Sequence, residues 1–201
     1  NLAAPSNYVG PAKIFGLSTP EGRTEGLPLM RLIGDHINKE TPGGWMPVKH
    51  SKEHVPLFNG QETVPTSLRK AIQAFALACT ARELRGQGSE HSSMLVHVTR
   101  LVHVQKHVTA QVESALRKLK QGVLRGTEPS LILELQELWE ADFAPTSQAV
   151  SAMSSDTDGP IISIAWKEIA DKLPDVLEDI SVRMINGSAK DALDYAEVTS
   201  H

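Results

Sequence analysis

Apolar residues recur at three- and four-residue spacing in several stretches of the chain, and each stretch predicts an amphipathic helix. The first follows Pro65. Thr66 or Ser67 can cap it, and Leu68, Ile72, Phe75, Ala76 and Cys79 mark its apolar face. It should run to about Leu84 and stop at Arg85-Gly86-Gln87-Gly88, where glycine can take positive φ. Ser93-Met94-Leu95-Val96-His97-Val98-Thr99 is short, apolar and β-branched, which predicts a buried strand. A second helix over 102–121 is marked by Val104, Val108, Val112, Ala115 and Leu119, with Arg117, Lys118 and Lys120 near its negative dipole end. A strand leading straight into an amphipathic helix is the opening of an α/β unit.

Thr127-Glu128-Pro129 starts a third helix over 128–143, with Leu131, Leu135, Leu138, Trp139 and Phe143 on one face. Residues 144–160 are turn-formers and small polar groups, which predicts a mobile loop. Trp166, Ile169, Leu173, Val176, Leu177 and Ile180 are in phase for a fourth helix, which Pro174 should kink or split. Residues 182–186 read as a second buried strand. Gly187-Ser188 would then turn the chain, with Ser188 and Asp191 capping a short last helix.

Eight of the 12 prolines and eight of the 14 glycines lie at or before Pro65, so residues 1–64 should hold loops, turns and short elements. With 201 residues, 40% apolar and 22% charged, the chain can bury a core. A net charge of −4 argues against a wholly basic, nucleic-acid-coating domain but permits a local basic strip. No apolar run approaches the length of a membrane span. One cysteine forms no internal disulfide, so an oxidising compartment is not implied and a cytoplasmic location is expected. The start, Asn1-Leu2-Ala3-Ala4-Pro5, reads as a cut within a longer chain rather than a signal peptide.

Gly16 to Thr24 distantly resembles a phosphate-cradling loop, but five residues separate its glycines and Arg23 stands where lysine belongs; an exposed turn is expected. His103 and His107, four apart, could place two imidazoles on one metal. No third ligand is apparent and no Glu follows His103, so a solvated or packed helix face is expected and no metal. Cys79 reads as a small core residue. No nucleophile elbow, cysteine cluster or paired nuclease carboxylates are present. The segment His91 to Arg100 is more pointed. In open α/β sheets, ligands sit beyond the carboxyl ends of strands, which would place Thr99 and Arg100 against a nucleic-acid backbone or a nucleotide. Asn186 and Ser188 hold the equivalent place after the second strand. A buried, hydrogen-bonded His97 with a plain surface Arg100 remains the alternative.

Val64-Pro65-Thr66-Ser67-Leu68-Arg69-Lys70-Ala71-Ile72-Gln73-Ala74-Phe75, then Arg82 to Gln87, then His91 to Arg100, resembles the opening of the Z1 domain. So does Val182-Arg183-Met184-Ile185-Asn186-Gly187-Ser188 with Asp194-Tyr195 after it. The blocks cover roughly 64–198. Z1 domains occur in bacterial restriction and phage-defence proteins, joined to a DEAD-type helicase-like lobe, and were once labelled endonucleases. The resemblance implies an α/β, helix-rich fold: part of a RecA-like second lobe of a superfamily 2 motor, with a parallel sheet and a helical insertion at about 122–181. Residues 1–63 would join it to the first lobe, and 64–201 would be the front part of Z1.

The implied parent is an ATP-dependent translocase acting on double-stranded DNA. ATP and Mg would be bound in the parent and none by this piece, which lacks the Walker loop and the Leu-Ser-Arg-Gly and arginine-finger segments. This stretch should therefore not hydrolyse ATP alone. His91 and His97 would couple nucleotide state to the lobe; Thr99, Arg100, Asn186 and Ser188 would touch DNA. Implied partners are the DEAD-type first lobe and a nuclease subunit, with no membrane. An endonuclease domain and a non-catalytic interaction or DNA-binding module are the competing readings.

Overall fold

A computed structural model describes residues 10–20, 22–24, 26–27, 29–37, 44–126, 128–153 and 161–185. In chain order they form α1 (Pro11–Phe15), β1 (Leu17–Thr19), β2 (Gly22–Thr24), α2 (Thr66–Leu84), α3 (Val102–Arg125) and α4 (Pro129–Leu138). A π-helical turn (Trp139–Phe143), α5 (Ala144–Met153) and α6 (Trp166–Asp179) follow. The chain divides into two compact units, one of Asn1–Leu32 with Gln136–Ser163, the other of Ile33–Leu135 with Ile164–His201.

The larger unit is a helical assembly in which α2 packs mainly on α6, and α3 packs on both. Its core is aliphatic. Ile72, Ala76 and Leu77 come from α2, Val104, Val108, Val112, Leu116 and Leu119 from α3, and Ile169, Leu173 and Leu177 from α6. Burying each leucine contributes about 1.5–3 kcal/mol, which outweighs weak local propensities. The buried stripe of α2 is rotated from the predicted one: Phe75 and Cys79 are only half-buried, while Leu77 and Thr80 are enclosed. Thr80 satisfies its hydroxyl by donating to the Ala76 carbonyl at 2.9 Å.

Helix ends follow local chemistry in some places and distant chemistry in others. Gly126 ends α3 in the left-handed region (φ 59°, ψ 21°), a conformation glycine takes without a Cβ clash. Glu168 reaches back to accept the Ala165 N–H at 2.8 Å, closing the start of α6. At α2, neither Thr66 nor Ser67 acts as the cap. Pro65 occupies that position, and the Asp35 carboxylate accepts both the Ser67 N–H (2.8 Å) and the Ser67 hydroxyl (2.5 Å).

Before α2, Phe58 and Gln61 exchange main-chain hydrogen bonds of 2.8 and 3.1 Å across Asn59-Gly60, both at positive φ, as a tight hairpin turn requires. In the smaller unit, β1 and β2 pair antiparallel with Ser18 opposite Arg23. The segment that distantly resembled a phosphate loop is thus a short hairpin, not a strand–loop–helix cradle. Trp139 is buried and its ring stacks on Phe143, centroids 5.3 Å apart. Arg31 pairs with Asp142.

Three sequence expectations need correction. The parallel RecA-like sheet does not form: among the described residues the strands are β1 and β2. Residues 93–98 and 182–185 are not helical, but they make no main-chain hydrogen bonds to the described chain, and Leu95 is 82% exposed. Exposure alternates from His91 to His97, so the two-residue period of an extended chain is present without a neighbour to pair with. Next, the loop expected over 144–160 is helical as α5 through Met153; residues 154–160 lie outside the described residues. Last, Pro174 does not split α6, which continues through it. The missing N–H costs roughly 3 kcal/mol, and burial of Leu173 and Leu177 on either side offsets that.

Candidate nucleic-acid interface

The junction between residues 91–100 and α3 is held by a polar network that the sequence did not reveal. His50 Nδ1 lies 2.9 Å from the Pro47 carbonyl, which can only accept, so Nδ1 carries the proton. His50 Nε2 then accepts from the Thr99 hydroxyl at 2.8 Å. The same hydroxyl oxygen accepts the Leu101 N–H at 3.2 Å, and Gln105 Nε2 donates to the Thr99 carbonyl at 3.0 Å. Thr99 is 7% exposed; its side chain is spent inside the fold.

A second clasp lies one layer further along α3. Trp45 Nε1 donates to Gln111 Oε1 at 2.7 Å, and Gln111 Nε2 donates to the Pro56 carbonyl at 2.7 Å. His54 Nε2 donates to the Trp45 carbonyl at 3.0 Å, with its ring 5.4 Å from that of His50. The proline-rich segment before α2 is therefore strapped to the buried side of α3. Nothing in residues 44–60 carries a periodic signal, so no sequence pattern could have identified His50 or Trp45 as its anchors.

The opposite side of α3 faces solvent and is basic. Between Val102 and Arg125 the helix carries five basic residues and one acidic residue, in a chain of net charge −4. Lys106, Arg117, Lys118 and Arg125 are exposed, and none pairs with a carboxylate of the described residues. At 3.6 residues per turn they fall within an arc of about 120° and span roughly 28 Å of helix. Lys120 lies off this stripe and donates instead to the Glu178 carbonyl at the end of α6, at 3.1 Å. Arg100 is exposed just before α3.

Of the residues singled out in the sequence, His91, His97 and Arg100 are exposed and Thr99 is buried. His97 is thus not the enclosed strand histidine of the alternative reading. Asn186 and Ser188 lie outside the described residues. The basic stripe is half-visible in the sequence: Arg117, Lys118 and Lys120 stand near the negative end of the helix dipole, and the exposure of α3 joins the first two to Lys106 on one face.

Among the described residues, no group of three or more His, Cys, Asp or Glu could hold a metal. No described helix is long and apolar enough to cross a membrane. Three described groups depart from their ordinary pKa, and burial lowers that of the Arg85 guanidinium. Burial pushes the Cys79 thiol up, against a hydrogen bond from Ser92 and the charge of Arg82. Arg69, bonded to Glu134 at 2.5 Å, holds that carboxyl below its usual range, with burial opposing and Gln73 and Lys70 assisting.

These features define a helix-rich domain that presents one long basic helix to solvent. The profile of the Z1 domain family matches residues 67–201, about two thirds of the chain, and the chain belongs to that family. No curated protein and no solved structure matches it.

Proposed function

We propose that this chain is the DNA-engaging part of an ATP-dependent translocase of a bacterial restriction or phage-defence system. The outward face of α3, extended by Arg100, lies along the phosphate backbone of double-stranded DNA. The observation that carries this reading is the stripe of Lys106, Arg117, Lys118 and Arg125, free of described carboxylate partners in an otherwise acidic chain. Fixed cations at that spacing would contact phosphates over about eight steps of one strand, at roughly 3.4 Å per step. Such contacts are sequence-independent and position the protein rather than read bases.

In this reading Thr99 positions rather than touches DNA, because the His50 bond fixes where Arg100 leaves the fold. His91 and His97, on the exposed segment leading to Arg100, couple that position to the nucleotide state of a DEAD-type lobe binding ATP and Mg. Asn186 and Ser188 complete the contact, and a nuclease subunit is the expected companion. Membership of the Z1 family supports the assignment.

The test is fluorescence anisotropy with a labelled duplex of about 30 base pairs at low and moderate salt. The wild-type chain should bind, and Lys106→Gln/Arg117→Gln/Lys118→Gln should weaken binding at least tenfold. Losing three phosphate contacts should also flatten the log–log salt slope by about 2.7. Absence of duplex binding, or a triple variant that binds like wild type, overturns the proposal. In a protein carrying the ATPase lobe, Arg100→Ala should lower DNA-stimulated ATP hydrolysis; unchanged stimulation removes Arg100 from the interface.

A further inference from the structure

We propose that His103 and His107 form a two-imidazole binding site for a divalent first-row transition metal such as Zn(II). His103 is the second residue of α3 and His107 lies one turn further on. Their ring centroids are 5.0 Å apart, with the planes at 85°. A metal about 2.0–2.1 Å from one nitrogen of each ring would lie roughly 3.2 Å from each centroid, so a tetrahedral angle between them separates the centroids by about 5 Å. The observed separation of 5.0 Å is compatible with such a site. Steeply inclined planes are compatible with it, because each imidazole coordinates within its own plane.

The electronic requirement is met as well. His50 spends both ring nitrogens on Pro47 and Thr99, and His54 spends Nε2 on Trp45. Neither ring nitrogen of His103 or His107 hydrogen-bonds to a described residue, which leaves their lone pairs available. His103 is exposed and His107 half-buried, so a hydrated ion can reach them. Val104 and Val108, buried beside them, fix the rotation of this turn and so hold the pair in register. The positive end of α3 and the neighbouring Lys106 and Arg100 oppose a cation, and they reduce its affinity without removing the ligands. No third protein ligand stands in the described residues, so the remaining coordination positions go to water or an anionic oxygen. With two protein ligands, the site holds its ion less tightly than the four-ligand cage of a structural zinc. The inference does not depend on DNA binding.

The experiment is calorimetric titration of Zn(II) chloride into the full 201-residue chain and its variants, with helicity at 222 nm confirming that each is folded. His103→Asn and His107→Asn should each weaken the tightest Zn(II) equivalent by about tenfold or more, since either change leaves a single imidazole. The double variant His107→Asn/Ala110→His keeps the histidine count but sets the pair two turns apart, and it should not recover binding. Loss in both single variants without recovery in the double supports the site. Failure of the wild type to bind, single variants within about threefold of it, or full recovery in the double variant overturns it.

Discussion

Gln111 is 5% exposed yet sits in the apolar stripe of α3 between Val108 and Val112. Its amide is tolerated there because both ends are matched, one by the Trp45 indole N–H and the other by the Pro56 carbonyl. Gln111→Leu keeps the volume nearly constant but strands a buried donor and a buried acceptor. The variant should lose about 1–3 kcal/mol in urea unfolding, the desolvation penalty of a buried polar group left without its partner. A loss within about 0.5 kcal/mol would show that water reaches both orphaned groups. The sequence placed this glutamine on a helix but could not name its partners, which lie 66 and 55 residues away.

Among the elements, α2 shows how a helix start can be supplied from afar. Asp35 accepts two hydrogen bonds at Ser67, and its negative charge also complements the positive end of the helix. Asp35→Ala should cost about 1 kcal/mol, read as a lowered urea midpoint with an unchanged slope. Ser67→Ala should cost less, because the backbone N–H bond to Asp35 survives. The sequence offers Thr66 or Ser67 as the cap of this helix, and neither serves; the group that closes its start, Asp35, arrives from a separate segment. The two segments expected as strands make the same point in reverse. Composition and alternation mark 93–99 as extended, but a strand exists only through hydrogen bonds to another strand, and local sequence does not provide one.

At the scale of the molecule, charge is segregated: the chain is acidic overall while α3 is basic, which favours a polyanion approaching one side. Glu134 and Cys79 act at opposite ends of the pH range. Glu134 has its acidity strengthened in the fold, so its contribution is present above the ordinary carboxyl value of 4.5 and is lost as pH falls through its folded value. Cys79 is shifted the other way. Its neutral thiol is favoured by burial, so its contribution holds below the ordinary value of 9.0 and is lost as pH rises past it. The thermal midpoint should therefore be level near neutrality and fall toward both extremes. Glu134→Gln should flatten the acid limb slightly, because the pair with Arg69 is largely solvent-exposed and contributes about 1 kcal/mol at most. An acid limb identical to wild type would exclude Glu134 as a contributor.

The sequence by itself determined where the long helices lie, the apolar faces of α3 and α6 though not that of α2, and the family to which the chain belongs, because these depend on periodicity and on ordered local blocks of residues. The tertiary structure alone decided that 93–98 and 182–185 go unpaired among the described residues, that Pro174 is carried within α6, that Thr99 turns inward to His50, and that Lys106 joins Arg117 and Lys118 on one open face. Each of those outcomes is settled by a partner distant in sequence, or by the lack of one, and a pattern read along the chain holds no record of it.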